Sequence, residues 1–147
     1  MGASGKTLRI LLVEDDDSDR AIFALAVKRS SSHVTLHAVP NGQIAIDYLE
    51  GKNVYADREQ YPLPHLIVLD LSMPILDGFE FLKYRSTSAF AALPVIVLEG
   101  SGRSEYLDQA VRLGAMLSLT KPVRFDAYCR MVGTMIASIP SPPRAEL

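Results

Sequence analysis

Cysteine is almost missing from this chain. Its 147 residues hold one, Cys129. No disulfide can form within the chain, and the composition fits a reducing, cytoplasmic setting. Met1 to Thr7 lack the apolar core of a signal peptide. No apolar run is long enough to span a bilayer, so no membrane association is expected. Charge of one sign is also scarce. The formal net charge is -2 and the pI about 5.9, with no basic stripe. That balance leaves no electrostatic footprint for nucleic acid. No internal repeat is visible. The three histidines, His33, His37 and His65, lack metal-ligand spacing. Gly100-Ser101-Gly102 is followed by no Gly-Lys-Ser/Thr, which excludes a phosphate loop there.

What the sequence does have is 48% hydrophobic residues in a length that suits one domain. Its organising stretch is His65-Leu66-Ile67-Val68-Leu69-Asp70-Leu71-Ser72-Met73-Pro74. An unbroken apolar run suits a strand buried on both faces of a parallel sheet. Asp is rarely tolerated in a core. It is tolerated where a strand emerges at its C-terminal end, the edge at which open α/β sheets bind ligands. Asp70 is therefore a site residue first, although an Asp can also merely end a strand.

Leu8 to Val13 is a similar run, stopped by Glu14-Asp15-Asp16-Asp17. Ser18 or Asp17 is placed to cap a helix over about 19–29, with Asp19 adding negative charge in its first turn. Val34 to Val39 predicts a second strand. Pro40-Asn41-Gly42 predicts a turn, then a helix with Ile44, Ala45, Tyr48 and Leu49 on one face. Residues 51–64 are polar and aperiodic, either a helix extension with a loop or a partner-contact insertion. Asp77-Gly78 opens a third helix. Leu93 to Leu98 is a fourth strand ending at Glu99, Tyr106 to Leu113 a fourth helix closed by Gly114. Met116 to Thr120 is a fifth strand ended by Lys121-Pro122, and Phe125 to Ile136 a last helix.

Strict alternation of strands and helices predicts an α/β fold: a five-stranded, doubly wound parallel sheet with helices on both faces. The expected boundaries are a flexible 1–7, a domain over 8–137, and a disordered Pro-rich tail over 138–147, with no second domain. Such a sheet brings Glu14, Asp15, Asp70, Glu99 and Lys121 towards one cleft. Clustered carboxylates repel, and Mg²⁺ offsets that repulsion while keeping sites for water or phosphate oxygens. A lysine opposite the cation adds a second positive charge. The set suits a phosphoryl group held between metal and ammonium and accepted by a carboxylate.

These residues resemble the receiver domain of two-component response regulators, from about Leu8 to Ile136. The elements that carry the resemblance are LLVEDD, LIVLDLSMPILDGFEFL, LPVIVL and LGAMLSLTKP, in that order. The resemblance implies a flavodoxin-like receiver fold with Asp70 as phosphoacceptor. It implies Glu14 and Asp15 as the acidic pair for Mg²⁺, Ser72 giving its backbone carbonyl to the metal, and Lys121 contacting the phosphoryl group. It implies a cis Lys121–Pro122 bond. The donor would be a sensor histidine kinase or phosphotransfer protein, and the activity only Mg-dependent self-phosphorylation and autodephosphorylation. The insertion and the Glu-Asp pair also look like the small single-domain regulators that partner phytochrome-type kinases. In those, the last helix and its face commonly make a homodimer.

Two positions depart from the family. Glu99 stands where receivers usually carry Thr or Ser, and Ser118 where they tend to carry an aromatic residue. An ionised Glu99 cannot donate, and a phosphoryl group beside it carries about −1.5 to −2 charges. Glu99 could swing out with phosphorylation intact, add a metal ligand, or mark a receiver that phosphorylates poorly. Intact phosphorylation with an atypical output is the first reading. A phosphorylation-independent interaction scaffold is the alternative. A hydrolase working through an aspartyl phosphate is disfavoured, because Ser72 occupies the position of its second acid.

Overall fold

The computed structural model of the protein describes residues 7–31, 33–71 and 77–139. Five strands, β1 (Leu8–Val13), β2 (Val34–Val39), β3 (Leu66–Asp70), β4 (Val95–Glu99) and β5 (Leu117–Thr120), form one parallel sheet in the order β2-β1-β3-β4-β5. The helices are α1 (Asp17–Ser30), α2 (Gly42–Glu50), α3 (Gly78–Ser86), α4 (Ser104–Arg112) and α5 (Phe125–Ser138). This is the five-stranded, doubly wound parallel sheet that the alternation predicts. The order reverses between β1 and β3, which opens a crevice at their C-terminal ends.

Period-two geometry sends successive side chains of a strand to opposite faces. Leu11, Val13, Ile67, Leu69, Val95 and Val97 meet Ala45, Tyr48 and Leu49 of α2 and Phe81 and Leu82 of α3. Leu8, Ile10, Leu12, Leu66, Val68, Ile96 and Leu98 meet Phe23, Ala26 and Val27 of α1 and Tyr128, Val132 and Met135 of α5. Every residue of β3 and β4 is buried, whereas the edge strands β2 and β5 are largely half-exposed. A fully buried Leu, Ile or Val contributes about 1.5–3 kcal/mol. The central strands are therefore the stiff frame from which the site side chains project.

The ends of several elements differ from their expected places. Asp16, not Asp17 or Ser18, caps α1, accepting from the amide of Asp19 at 2.8 Å. An N-cap needs extended backbone, and Asp16 has it (φ -89°, ψ 124°). β4 begins at Val95 rather than Leu93, and β5 at Leu117 rather than Met116. α5 runs to Ser138, one residue past the expected domain boundary. The N-terminal residues 1–6 and the tail from 140 on lie outside the described residues.

The 51–64 segment does not extend α2, which ends at Glu50. A 3₁₀ turn over Asn53–Ala56 follows Gly51, whose left-handed backbone (φ 70°) ends α2. Arg58 donates to the carbonyls of Tyr48, Leu49 and Tyr61, closing the C-terminus of α2. The rings of Tyr48, Tyr55 and Tyr61 pack together, 5.0–6.0 Å between centroids, and the Tyr48 hydroxyl donates to Pro62. The segment is a structural cap over the β2 edge.

Candidate functional site

Strand register builds the site. Val13 lies beside Leu69, so Glu14 follows next to Asp70. Asp70 lies beside Leu98, and Glu99 beside Thr120, so Lys121 follows at the far end of the same edge. The amide of Lys121 donates to the carbonyl of Glu99 at 2.9 Å. The start of α3 closes the floor. Asp77 and Glu80 form a reciprocal capping box, and the amide of Gly78 donates to Leu71 at 3.0 Å. A Cβ on residue 78 would stand 2.6 Å from the Leu71 Cα and 2.8 Å from the Asp70 carbonyl oxygen, so only glycine lets the helix start this close to β3.

Glu14, Asp15 and Asp70 each offer one carboxylate oxygen, all within 4.8 Å of one another. Glu14 and Asp70 are buried and Asp15 is exposed. Burial pushes the Glu14 carboxyl up, to about 7, the Asp70 charge pushes the same way, and Lys121 opposes both. Three converging hard oxygen donors with an excess of negative charge fit Mg²⁺. Asp15, open to solvent, suits a ligand through which the cation enters.

Lys121 completes the set. Its Nζ donates to Glu14 Oε1 at 3.0 Å and to Asp19 Oδ2 at 3.0 Å, and lies 3.9 Å from Asp70 Oδ2. Burial alone would lower its pKa. The Asp70 charge and the bonds to Glu14 and Asp19 override burial and hold it above the ordinary lysine range. Of the expected site residues, Glu14, Asp15, Asp70 and Lys121 thus come together. Ser72 lies outside the described residues. The expected cis Lys121–Pro122 bond is corrected: among the described residues no peptide bond is cis. The trans form is favoured by about 0.5–1 kcal/mol before proline, and from it the lysine already reaches Glu14.

Glu99 and Ser118 stand apart from the cluster. Glu99 is buried, and its two oxygens accept from the amides of Ser101 and Gly102, each at 2.9 Å. Burial pushes its carboxyl up, but bonds from Ser101, Gly102 and Arg103 outweigh that and hold it below the ordinary glutamate range. It is absent from the converging carboxylates found among the described residues, so nothing in its placement supports the added-ligand reading. The Ser118 hydroxyl donates to the Leu107 carbonyl at 2.9 Å, tying β5 to α4.

Two neighbours of the site were not expected from sequence. Asp19 reaches Lys121 from the first turn of α1. Tyr128 of α5 is buried beside the same charges; its hydroxyl pKa is pushed up to about 12, chiefly by burial. Asp19 had a readable signal: it lies five residues after Glu14, on the first turn of a helix whose cap is Asp16. Tyr128 had none beyond its place on an apolar helix face.

Comparison with known proteins agrees with this geometry. The family described as response regulator receiver domain matches residues 10–132. The two-component response regulator ARR5 of Arabidopsis thaliana is 33% identical over 125 residues, 83% of this chain and 67% of its own length. The 3',5'-cyclic-nucleotide phosphodiesterase regA of Dictyostelium discoideum is 30% identical over 139 residues, 92% of this chain and 16% of its own length. The chain therefore spans a small part of the second relative and about two thirds of the first. Response regulator RPA3017, in red light signaling of R. palustris, superposes with a TM-score of 0.82 at 30% identity, covering 92% of this chain and 99% of that one. The phosphorylated cyanobacterial phytochrome response regulator RcpA gives 0.82 at 25% identity over 93% and 99%. The Mn(2+)-bound form of response regulator Rcp1 gives 0.80 at 28% identity over 92% and 99%. With the acidic pocket, the lysine and the strand order all in place, the chain belongs to the response regulator receiver domain family.

Proposed function

We propose that this protein is a response regulator that accepts a phosphoryl group on Asp70 from a histidine kinase or phosphotransfer protein. The observation that carries the reading is the convergence of Glu14, Asp15 and Asp70 opposite Lys121. In the transfer, an Asp70 carboxylate oxygen attacks the phosphorus of a phosphohistidine. A P–O bond forms, the P–N bond breaks, and the imidazole nitrogen leaves with the electron pair and takes up a proton. Glu14, Asp15 and Asp70 would hold Mg²⁺, with the Ser72 carbonyl as a further ligand. The cation supplies neutralisation of the phosphoryl oxygens. Lys121 supplies the second positive charge, and burial of Glu14 and Asp70 raises the strength of each interaction.

The output is atypical in this reading. A Thr or Ser at position 99 could donate to the phosphoryl group and draw the following loop inward. Glu99 has its oxygens committed to the loop's own amides, which leaves the acceptor chemistry untouched and the loop set beforehand. Similarity to phytochrome response regulators favours a phytochrome-type kinase as donor, and a homodimer through the last helices follows the same likeness. The second reading, a scaffold that works without phosphorylation, draws on the same Glu99 placement.

Incubation with a small acyl phosphate and Mg²⁺ separates the two. The proposal expects an acid-stable, base-labile label on Asp70 that Asp70→Asn removes and chelation prevents. A folded wild-type chain that takes no label would favour the scaffold.

A further inference from the structure

Lys121 is held by a side chain that phosphoryl transfer does not require. Of its two hydrogen bonds, one goes to Glu14 in the acidic cluster and the other to Asp19, outside it, both at 3.0 Å. Asp70 Oδ2, at 3.9 Å, is beyond hydrogen-bond reach. Asp19 is delivered on a fixed stem: its amide is bound by the Asp16 cap, and the next residue, Arg20, donates through Nη1 to the Glu14 carbonyl at 2.6 Å. The Asp19 side chain is 40% exposed, against 5% for Glu14. A cavity of about 120 Å³ opens on the Asp19 side of the lysine, lined also by Pro122, Phe125 and Tyr128.

We infer that Asp19 is a positioning residue that parks Lys121 away from Asp70 and so sets how readily the lysine meets a phosphoryl group there. The inference rests on Asp70 being the acceptor. An ammonium has three donors. Two are committed at rest, and Asp70 Oδ2, 3.9 Å away, is held by charge without a hydrogen bond. To reach a phosphoryl oxygen on Asp70 the ammonium moves as an intact ion, with no proton transferred. The bond it gives up is the one to half-exposed Asp19, since the buried Glu14 carboxylate has fewer ways to be satisfied by water. Asp19 therefore competes with the incoming phosphoryl group for the same cation. A bland alternative exists: an acid in a first helical turn stabilises the helix through its dipole. That role is independent of Lys121.

The test times phosphorylation of the full chain by acetyl phosphate with Mg²⁺. In that reaction an Asp70 oxygen bonds to phosphorus, and acetate leaves with the electron pair of the broken P–O bond. Five chains are compared: wild type, Asp19→Asn, Lys121→Met, the double variant of these, and Asp70→Asn as the acceptor control. Asp19→Asn removes the charge and keeps the shape, and circular dichroism checks that each chain is folded. The expected result is labelling about fivefold faster in Asp19→Asn, the scale of a half-exposed ion pair, and no acceleration by Asp19→Asn in the Lys121→Met background. Where the Lys121→Met chains label too slowly to time, Mg²⁺-dependent beryllofluoride affinity, read by NMR, replaces the rate and follows the same pattern. An Asp19→Asn chain that labels Asp70 at the wild-type rate or slower overturns the latch alone, as does an equal acceleration in both backgrounds. A wild-type chain without label, or an Asp70→Asn chain that labels equally, overturns the acceptor reading and the latch with it.

Discussion

The C-terminal edge of the sheet has two halves that treat their buried acids in opposite ways. Between β1 and β3, Glu14 and Asp70 face one another with Asp15, and the negative charge is left over for a cation. At the end of β4, Glu99 is as little exposed as Glu14 but is packed among fewer atoms, and its pKa is lowered rather than raised. Beyond the smaller burial cost, the difference is local backbone and neighbouring charge. Glu99 meets the free amides of Ser101 and Gly102, which solvate a carboxylate as water would. Glu14 has one amide, from Asp16, and the Lys121 ammonium, but a second carboxylate stands beside it. Burial alone thus does not mark a functional acid; a second buried carboxylate beside it, which leaves a charge its donors do not cancel, does.

The largest effect expected on this contrast is on chemistry. Lys121→Ala should lower the labelling rate by about 10²–10³, the scale of removing one preorganised electrostatic group. Glu99→Ala should stay within a few-fold of wild type. Equal losses in the two variants would erase the distinction between the halves.

Mg²⁺ should raise the melting temperature of the wild type and not of a variant lacking the cluster. Free ligand at a hundred times its dissociation constant stabilises by about 2.7 kcal/mol, and Asp15→Asn should lose most of that shift in thermal denaturation. Glu99→Gln should retain it. Backbone closeness is tested by Gly78→Ala, expected to cost about 1–3 kcal/mol as an overpacked contact against Leu71, measured by urea unfolding.

The smallest effect is on pH. The Glu99 carboxyl is held below its ordinary value of 4.5. Its contribution to stability is therefore complete above pH 4.5 and fades as pH falls through the lowered folded value. Glu99→Gln should flatten that acid limb, with a loss at neutral pH of about 0.5–1.5 kcal/mol, the net scale of one hydrogen bond, because the amide oxygen still accepts from one loop amide. An unchanged acid limb would mean the loop amides do not hold the charge.

Much of this was legible in the sequence because strong periodicity and strand ends coincide. The LIVLD run gave β3 and its terminal acid together, and alternation of elements gave the parallel order. Glu14, Asp15, Asp70 and Lys121 were readable because each directly follows or ends an apolar strand. The signal at Asp19 was masked, since an acid in a first turn is expected for helix reasons alone. The 51–64 segment was opaque because its order comes from Arg58 reaching carbonyls of α2 and from tyrosines meeting across the loop, contacts with no period. The side-chain direction of Glu99 depended on the backbone of three following residues, which composition does not specify.

On a phosphoryl mimic the acceptor half of the edge should respond, while the β4–α4 loop is already set. Backbone amide NMR of the ¹⁵N-labelled chain, with and without beryllofluoride and Mg²⁺, tests it directly. The amides near Asp15, Asp70 and Lys121 should shift while those of Ser101 and Gly102 hold their positions. Ser101 and Gly102 shifting together with Asp70 would contradict it.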